Sequence, residues 1–350
     1  MNPHLEPWAI ASDAFPGDNY ASDQLEFLLG YAILAPSPHN TQPWRFRINV
    51  NDAEVFADRR RALRVVDPHG RELTLACGAA LYNLRVAAEY FGRSYSVSLL
   101  PRSDEPDLLA SLTLHLYSET SSEDVVLFHA LTQRRTNRQA FRPDPLPEEI
   151  LTELADAAAR EGAWLALVTE DAARQAIADL VAKADKIQWA DRAFRRELAV
   201  WLRTDAEHQA DGIPTHDLGV RDWMAFAGPA LVRTFNRGNN QAARDAEIAT
   251  HSPALAVLGT DQDEPGTWLQ AGQALERVLL HAQSEGVSAS YLNQPIEVDD
   301  LRPQLAGVIG LGGFPQVLLR LGYGPEVPPT PRRSVRSLLI KHDTSRGPQH

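Results

Sequence analysis

One stretch of the chain recurs 194 residues later. Gly78-Ala79-Ala80-Leu81 runs on to Gly92-Arg93-Ser94-Tyr95-Ser96, and Gly272-Gln273-Ala274-Leu275 runs on to Gly286-Val287-Ser288-Ala289-Ser290. Without a gap, the offset also sets Ala88 on Ala282. Each stretch reads as a helix stopped by glycine. An alternating strand follows each: Leu112, Leu114 and Leu116 in one case, Val317, Leu319 and Leu321 in the other. Upstream, Ala32 to Trp44 and then Asp52 resembles Ala157 to Trp164 and then Asp171. A repeat of this length predicts two related α+β units packed about a pseudo-two-fold axis, as in a homodimer fused into one chain.

The expected division is a leader over 1–20, a reduced first unit over 21–120, a second unit over 124–340 and a disordered tail over 341–350. The two units have lost different parts. The first keeps the loop Pro36 to Pro43, whose counterpart is only Arg160 to Ala163. The second opens with Gln133-Arg134-Arg135-Thr136-Asn137-Arg138, and nothing basic precedes the first unit's helix at Leu25. One composite site is therefore expected in place of two equal ones. The second unit also carries an insertion, about 186–244, that repeat symmetry does not need. It reads as a lid.

At 350 residues, 44% of them hydrophobic, the chain can bury a sizeable core. Its 34 basic against 46 acidic residues give a net charge of −12. That balance argues against a nucleic-acid backbone or an anionic membrane surface as partner, so any anionic ligand must be met by a local arginine cluster. The single cysteine, Cys77, excludes an internal disulfide and any multi-cysteine metal site. The N-terminal residues show no signal-peptide pattern. The most apolar stretch, Leu305 to Leu319, is broken by four glycines and Pro315. A cytoplasmic protein is the expectation.

Arg134, Arg135, Thr136 and Arg138 form a candidate phosphate cradle, since guanidinium forks match phosphate oxygens. Arg134 and Arg138 would share a face if that segment were helical. A solvated surface is the competing reading. Arg332 and Arg333 end the proline-stiffened segment from Pro325, a strap able to reach the same anion. Ser37, Asn40 and Gln42 offer the donors and acceptors that a planar heterocycle needs, or are ordinary loop chemistry. Tyr291, Leu292 and Asn293 flank a ring system or form a plain buried strand. The glycines from Gly307 to Gly313 read as a loop, because they match no dinucleotide fingerprint. His208 and His216 near Asp211 and Asp217 lack metal-ligand spacing.

Ala35-Pro36-Ser37-Pro38-His39-Asn40-Thr41-Gln42-Pro43-Trp44 together with Arg134-Arg135-Thr136-Asn137-Arg138 resembles the FMN-dependent nitroreductase superfamily, in its fused single-chain branch. The resemblance covers about 25–340. It implies an α+β fold of two tandem units, each with a mostly antiparallel sheet flanked by helices. It implies that Arg134, Arg135, Thr136, Arg332 and Arg333 hold the FMN phosphate. Arg138 would lie near the pyrimidine edge, stabilising the reduced, anionic flavin and raising its potential. Pro36, Ser37, Pro38 and Asn40 would reach the flavin from the other half. Tyr291, Leu292 and Asn293 would pass near its reactive edge, where the family often has glycine or proline with small residues. The usual lysine beside the terminal arginine is also missing here, which leaves open whether Arg332 or Arg333 meets the phosphate.

The resemblance implies an FMN oxidoreductase. NADH or NADPH would reduce the flavin, and a small electron-poor acceptor, such as a nitroaromatic or a quinone, would reoxidise it in a ping-pong cycle. The proton could come from solvent. A flavin-sequestering protein is the alternative, with Trp189, Trp201 or Trp223 packed over the ring to bar a nicotinamide. A flavin enzyme that modifies another ring system is a third. Whether the fused chain stays monomeric or dimerises further is left open.

Overall fold

The computed structural model describes residues 3–204, 209–214, 232–233 and 238–340. The expected tail over 341–350, with Trp223, His208, His216 and Asp217, lies outside these residues. Two four-stranded antiparallel sheets organise the chain. In the first, β1 (Trp44–Asn49), β2 (Asp52–Ala57), β3 (Arg93–Leu99) and β4 (Leu108–Tyr117) lie in the order β1-β2-β4-β3. In the second, β5 (Trp164–Val168), β8 (Ala254–Thr260), β9 (Ser288–Tyr291) and β10 (Phe314–Gly322) lie in the order β5-β8-β10-β9. Each sheet thus places its first, second, fourth and third strands side by side. The short β6 (Leu202–Arg203) and β7 (Ile213–Pro214) pair apart from both, in parallel.

The helices are α1 (Ala21–Ala32), α2 (Arg71–Tyr90), α3 (Ser122–Gln133), α4 (Glu148–Arg160), α5 (Asp171–Ala190), α6 (Arg192–Trp201), α7 (Gly238–His251), α8 (Pro265–Ser284), α9 (Gln294–Glu297), α10 (Arg302–Ile309) and α11 (Val335–Leu338). The alternation from Trp44 does make a strand, with Trp44 and Phe46 fully buried. Strand β8, Ala-Leu-Ala-Val-Leu-Gly-Thr, is buried along its whole length, which explains its continuous apolar run. Gly259 in it is required. A Cβ there would lie 2.1 Å from the Trp164 ring on the neighbouring strand.

The repeated helices α2 and α8 pack against each other through their repeated glycines. A Cβ on Gly78 would come within 2.3 Å of the Leu269 carbonyl oxygen, and one on Gly272 within 2.0 Å of the Leu75 carbonyl oxygen. The contact is reciprocal, because Leu75 and Leu269 are themselves separated by the repeat offset of 194. Only glycine lets the two backbones approach this closely.

Three local expectations are corrected. The segment from Arg134 to Arg138 is not helical. Helix α3, opened by a Ser121–Asp124 capping box, stops at Gln133, and Thr136 instead bridges Ala289 beside β9. Gly307 sits within α10 because Leu301 and Leu305 are buried in the core there, and that burial outweighs one glycine; Gly310 ends the helix at φ 67°. Asp52 and Asp171 are not equivalent. Asp52 starts β2, whereas Asp171 starts α5, and the structural counterpart of β2 is β8.

Candidate functional site

A cavity of about 360 Å3 lies between the two sheet systems. The loop after α1 supplies Pro36, Ser37, Pro38, His39 and Asn40. The segment after α3 supplies Thr136 and Arg138, and the end of β9 supplies Ser290 to Asn293. Helix α2 adds Glu72, Leu75 and Ala76, and the C-terminal strap adds Thr330 and Arg332. Helices α5, α6 and α7 close it with Asp185, Gln188, Trp189, Phe194, Leu198 and Asp245. Ten of the residues singled out in the sequence meet on this wall: Pro36, Ser37, Pro38, Asn40, Thr136, Arg138, Tyr291, Leu292, Asn293 and Arg332. Arg134, Arg135 and Arg333 stand outside the lining.

The loop is held in an unusual backbone path. His39, Asn40 and Gln42 have φ of 52°, 53° and 47°. Such left-handed conformations are costly for residues with a side chain and persist only where the surroundings impose them. Here they do. The Ser37 hydroxyl accepts from the Gln42 backbone N–H at 2.9 Å. Asn40 donates to the carbonyls of Pro331 and Gly212, at 3.1 and 3.2 Å, and accepts from Arg332 at 3.1 Å. Gln42 donates to the Ala210 carbonyl at 2.7 Å and accepts from the Arg333 backbone N–H at 2.8 Å. The loop, the strap and the segment at 210–214 are thus one hydrogen-bonded unit.

Behind the loop lies a knot of cations. Arg332 is buried. Its Nη2 donates to the carbonyls of Leu34 and Ala35, while its Nε has no hydrogen-bond partner. Arg134, also buried, donates to the Leu34 carbonyl and lies 3.4 Å from Glu276. The indole of Trp8 sits between Arg135 and Arg332, at 4.0 and 4.8 Å from the ring centre. Burial, Arg134 and Arg135 hold Arg332 down to about 9; burial and Arg134 hold Arg135 down to about 10. Arg134 and Arg332 share the buried acid Glu276, and Arg135 crowds both of them. A dianionic phosphate suits such a knot, since it would relieve the mutual repulsion and offer acceptors to the unused Nε. Arg333 stands to one side, bonded through Nη1 to the Gln42 carbonyl.

Sequence reasoning missed several wall residues. His39 lies inside the Pro36–Pro43 loop, and a loop histidine by itself shows no sign of its burial. Burial and Arg138 hold its imidazole down to about 4, hence neutral, with Nε2 unpartnered. Arg320 of β10 is buried, with Nη2 bonded to the carbonyls of Asn137 and Gln139 and Nη1 unpartnered. Glu72, Asp185, Asp245 and Glu297 converge from four helices, a convergence with no local sequence signal. Burial raises all four carboxyls. Among the lid tryptophans, Trp189 lies on the cavity wall, while Trp201 is outside it, with Arg61 and Arg203 over its ring. Asp211 pairs with Arg61 and Arg203; no group of three or more acidic, His or Cys side chains able to hold a metal occurs among the described residues. Nor is any described helix long and apolar enough to cross a membrane.

Comparison with known proteins finds relatives over most of the chain. The family model described as "Nitroreductase family" matches residues 131–323, more than half of the chain. The chain is 33% identical over 329 residues to "Putative NAD(P)H nitroreductase Rv3131" of Mycobacterium tuberculosis, covering 91% of both proteins. It is 25% identical over 346 residues to "Probable NAD(P)H nitroreductase PigM" of a Serratia species, covering 93% of this chain and 96% of that one. Among solved structures, the FMN and NADPH-dependent nitroreductase NfnB of a Sphingopyxis strain matches 62% of this chain and 98% of its own, at 19% identity and a TM-score of 0.41. On the family match and the full-length relatives, the chain belongs to the nitroreductase family.

Proposed function

We propose that the protein is an FMN oxidoreductase that takes electrons from NAD(P)H and passes them to nitroaromatic, quinone or similar electron-poor acceptors. One observation carries the reading: a single cavity whose wall combines Pro36–Asn40, Thr136, Arg138, Tyr291–Asn293 and Arg332. FMN, when bound, supplies the hydride chemistry. The chain's own residues bind and tune it. Arg332, with Arg134 and Arg135 behind it, takes the phosphate, and Thr136 adds a hydroxyl donor. Arg138 faces the pyrimidine edge, where its charge favours added electron density. Ser37 and Asn40 meet the ring system from the other half of the chain. Tyr291 to Asn293 line its reactive edge.

We read the two sheet systems as tandem nitroreductase-like units, 21–120 and 124–340, fused as a pseudo-dimer. The identical strand order and the reciprocal glycine contact of α2 and α8 support this. Helices α5 and α6, where the expected insertion 186–244 begins, then form the acceptor chamber's outer wall through Trp189, Phe194 and Leu198.

That apolar wall also favours a second reading, in which the chain sequesters flavin with little turnover. The visible spectrum separates the two. Anaerobic NADPH or NADH bleaches the flavin band within minutes if the site is open to a nicotinamide. A band that persists with both, yet bleaches with dithionite, overturns the oxidoreductase reading in favour of sequestration.

A further inference from the structure

Each hydride delivered to a quinone or nitro group must be matched by a proton. Four raised carboxyls lie on the cavity wall, and of these Glu72 is the one hydrogen-bonded to the Tyr291–Asn293 segment. His39 is held neutral and carries a basic site, and Arg138 and Arg320 are guanidiniums that retain their protons. Glu72 is placed differently. It stands in the first turn of α2, in the first half of the chain, and is 3% exposed. Its carboxyl reaches the cavity wall beside the segment that follows β9. There the Asn293 amide donates to Glu72 Oε1 at 3.2 Å, while the Asn293 side-chain oxygen accepts from the Leu318 backbone N–H at 2.9 Å. Asn293 is therefore fixed by β10 and in turn fixes the carboxyl.

We propose that the Glu72 carboxyl delivers the proton that accompanies hydride transfer to the acceptor's oxygen. The proposal rests on the reading of the cavity as a flavin site with Tyr291–Asn293 at its reactive edge. For a quinone, the ring system gains one hydride, the Glu72 O–H bond breaks, and a new O–H forms on the acceptor, giving the dihydroxy product. For a nitro group, the same hydride and proton give a nitroso group and water. The carboxylate regains its proton from solvent before the next turnover.

The surroundings keep that proton available. Burial and the Glu297 carboxyl raise Glu72, and Asp67 adds to the effect; Arg71, at 3.1 Å, and the Asn293 amide pull the other way and are outweighed. Arg71 is also engaged elsewhere, donating to the Gln316 carbonyl at 2.6 Å. Glu297 accepts from Gln188 at 2.6 Å and is itself raised by burial, with Asp67 and Glu197 contributing. The Tyr291 hydroxyl, buried nearby, is raised as well and stays protonated. A neutral carboxylic acid at this place serves as a general acid, a role worth about 10²–10⁴ in rate.

The test uses the FMN-loaded protein, reduced anaerobically and mixed with 1,4-benzoquinone in a stopped-flow instrument. The reoxidation rate of the wild type should fall as pH rises through the Glu72 titration and show a solvent deuterium isotope effect. Glu72→Gln should lose about 10²-fold at neutral pH, together with the pH break. It should still take up FMN and be reduced by NADPH, so that the loss falls on reoxidation. Glu72→Asp should restore the break. Infrared difference spectroscopy of the protein without flavin gives a readout independent of turnover: a protonated-carboxyl band in the wild-type minus Glu72→Gln difference spectrum, where the other raised carboxyls cancel. A Glu72→Gln protein that reoxidises at the wild-type rate with the same pH profile overturns the proposal, as does absence of the band. A chain that takes up no FMN overturns the site reading itself. It is distinguishable from failure at Glu72, where FMN binds and is reduced normally.

Discussion

Replacing Gly272 by alanine adds one carbon at the contact between the two repeated helices. That carbon would stand 2.0 Å from the Leu75 carbonyl oxygen and 3.0 Å from the Gly78 Cα, whereas ordinary contact begins at 3.4 Å. Both neighbours are backbone, so neither can swing aside, and the helices must part by roughly 1.4 Å along that line. Overpacking of this kind costs about 1–3 kcal/mol, and the rigid neighbours place it at the upper end. Alanine returns about 1 kcal/mol of helix propensity. The net expectation for Gly272→Ala is a loss of about 2 kcal/mol. Gly78→Ala, at 2.3 Å from the Leu269 carbonyl, needs a slightly smaller parting and should cost somewhat less. The double variant is the sharper probe. Once the helices have parted for one methyl, the second finds its space already open. The two losses should therefore be strongly sub-additive, with a coupling of about 1–2 kcal/mol. Urea denaturation of the four proteins measures this cycle. Additive losses, or no loss from either variant, would refute the argument that the two backbones meet at these glycines. Glu72, Leu75 and Ala76 on α2 and Leu275 on α8 line the cavity, so both single variants should also hold FMN less tightly.

Other perturbations reach separate parts of the account. Arg332→Ala should weaken FMN binding by roughly 10–100-fold, the loss of a charge-assisted hydrogen bond, as read by fluorescence titration. Arg138→Ala should lower the two-electron potential of the bound flavin by about 20–40 mV while leaving binding measurable, as read by spectroelectrochemistry; an unchanged potential removes Arg138 from the pyrimidine edge. Asp263 bonds to Arg302, Trp268 and Gln316, and these contacts hold its carboxyl well below the usual carboxylate range despite partial burial. Its contribution is therefore present above about pH 4 and is lost as pH falls through the depressed value. Asp263→Asn should cost about 1 kcal/mol at pH 7, a figure kept small by its partial exposure, and should flatten the acid limb of a melting-temperature profile.

The legible parts of the fold were those written in local patterns. The alternation from Trp44 and the glycine-stopped helices survive almost residue for residue, because β1 buries Trp44 and Phe46 on one face and Gly92 and Gly286 leave their helices at positive φ. Gly78 and Gly272, 194 residues apart in the repeat, also meet in space, a contact that local pattern alone does not show. Arg134 and Arg138 were misleading, because their spacing of four suits a helix and the chain there is drawn out by its bridge to Ala289. Gly307 was misleading in the other direction, since burial of Leu301 and Leu305 decides that turn. Of the site, the contiguous motifs were visible. The carboxyls of Glu72, Asp185, Asp245 and Glu297 were not, because each is an ordinary helical acid until four elements bring them to one wall. His39 was not legible either, because its burial beside Arg138 arises only in the folded chain.

The central claim is that two unequal halves build one FMN site. Titration of flavin-free protein with FMN, followed by quenching of flavin fluorescence and checked by the flavin-to-protein ratio after gel filtration, tests it most directly. The account predicts saturation at one FMN per chain, with binding weakened by about tenfold or more by disruption at Asn40 in the first half and at Arg332 in the strap alike. Two FMN per chain, or an unweakened affinity after both disruptions, would contradict it.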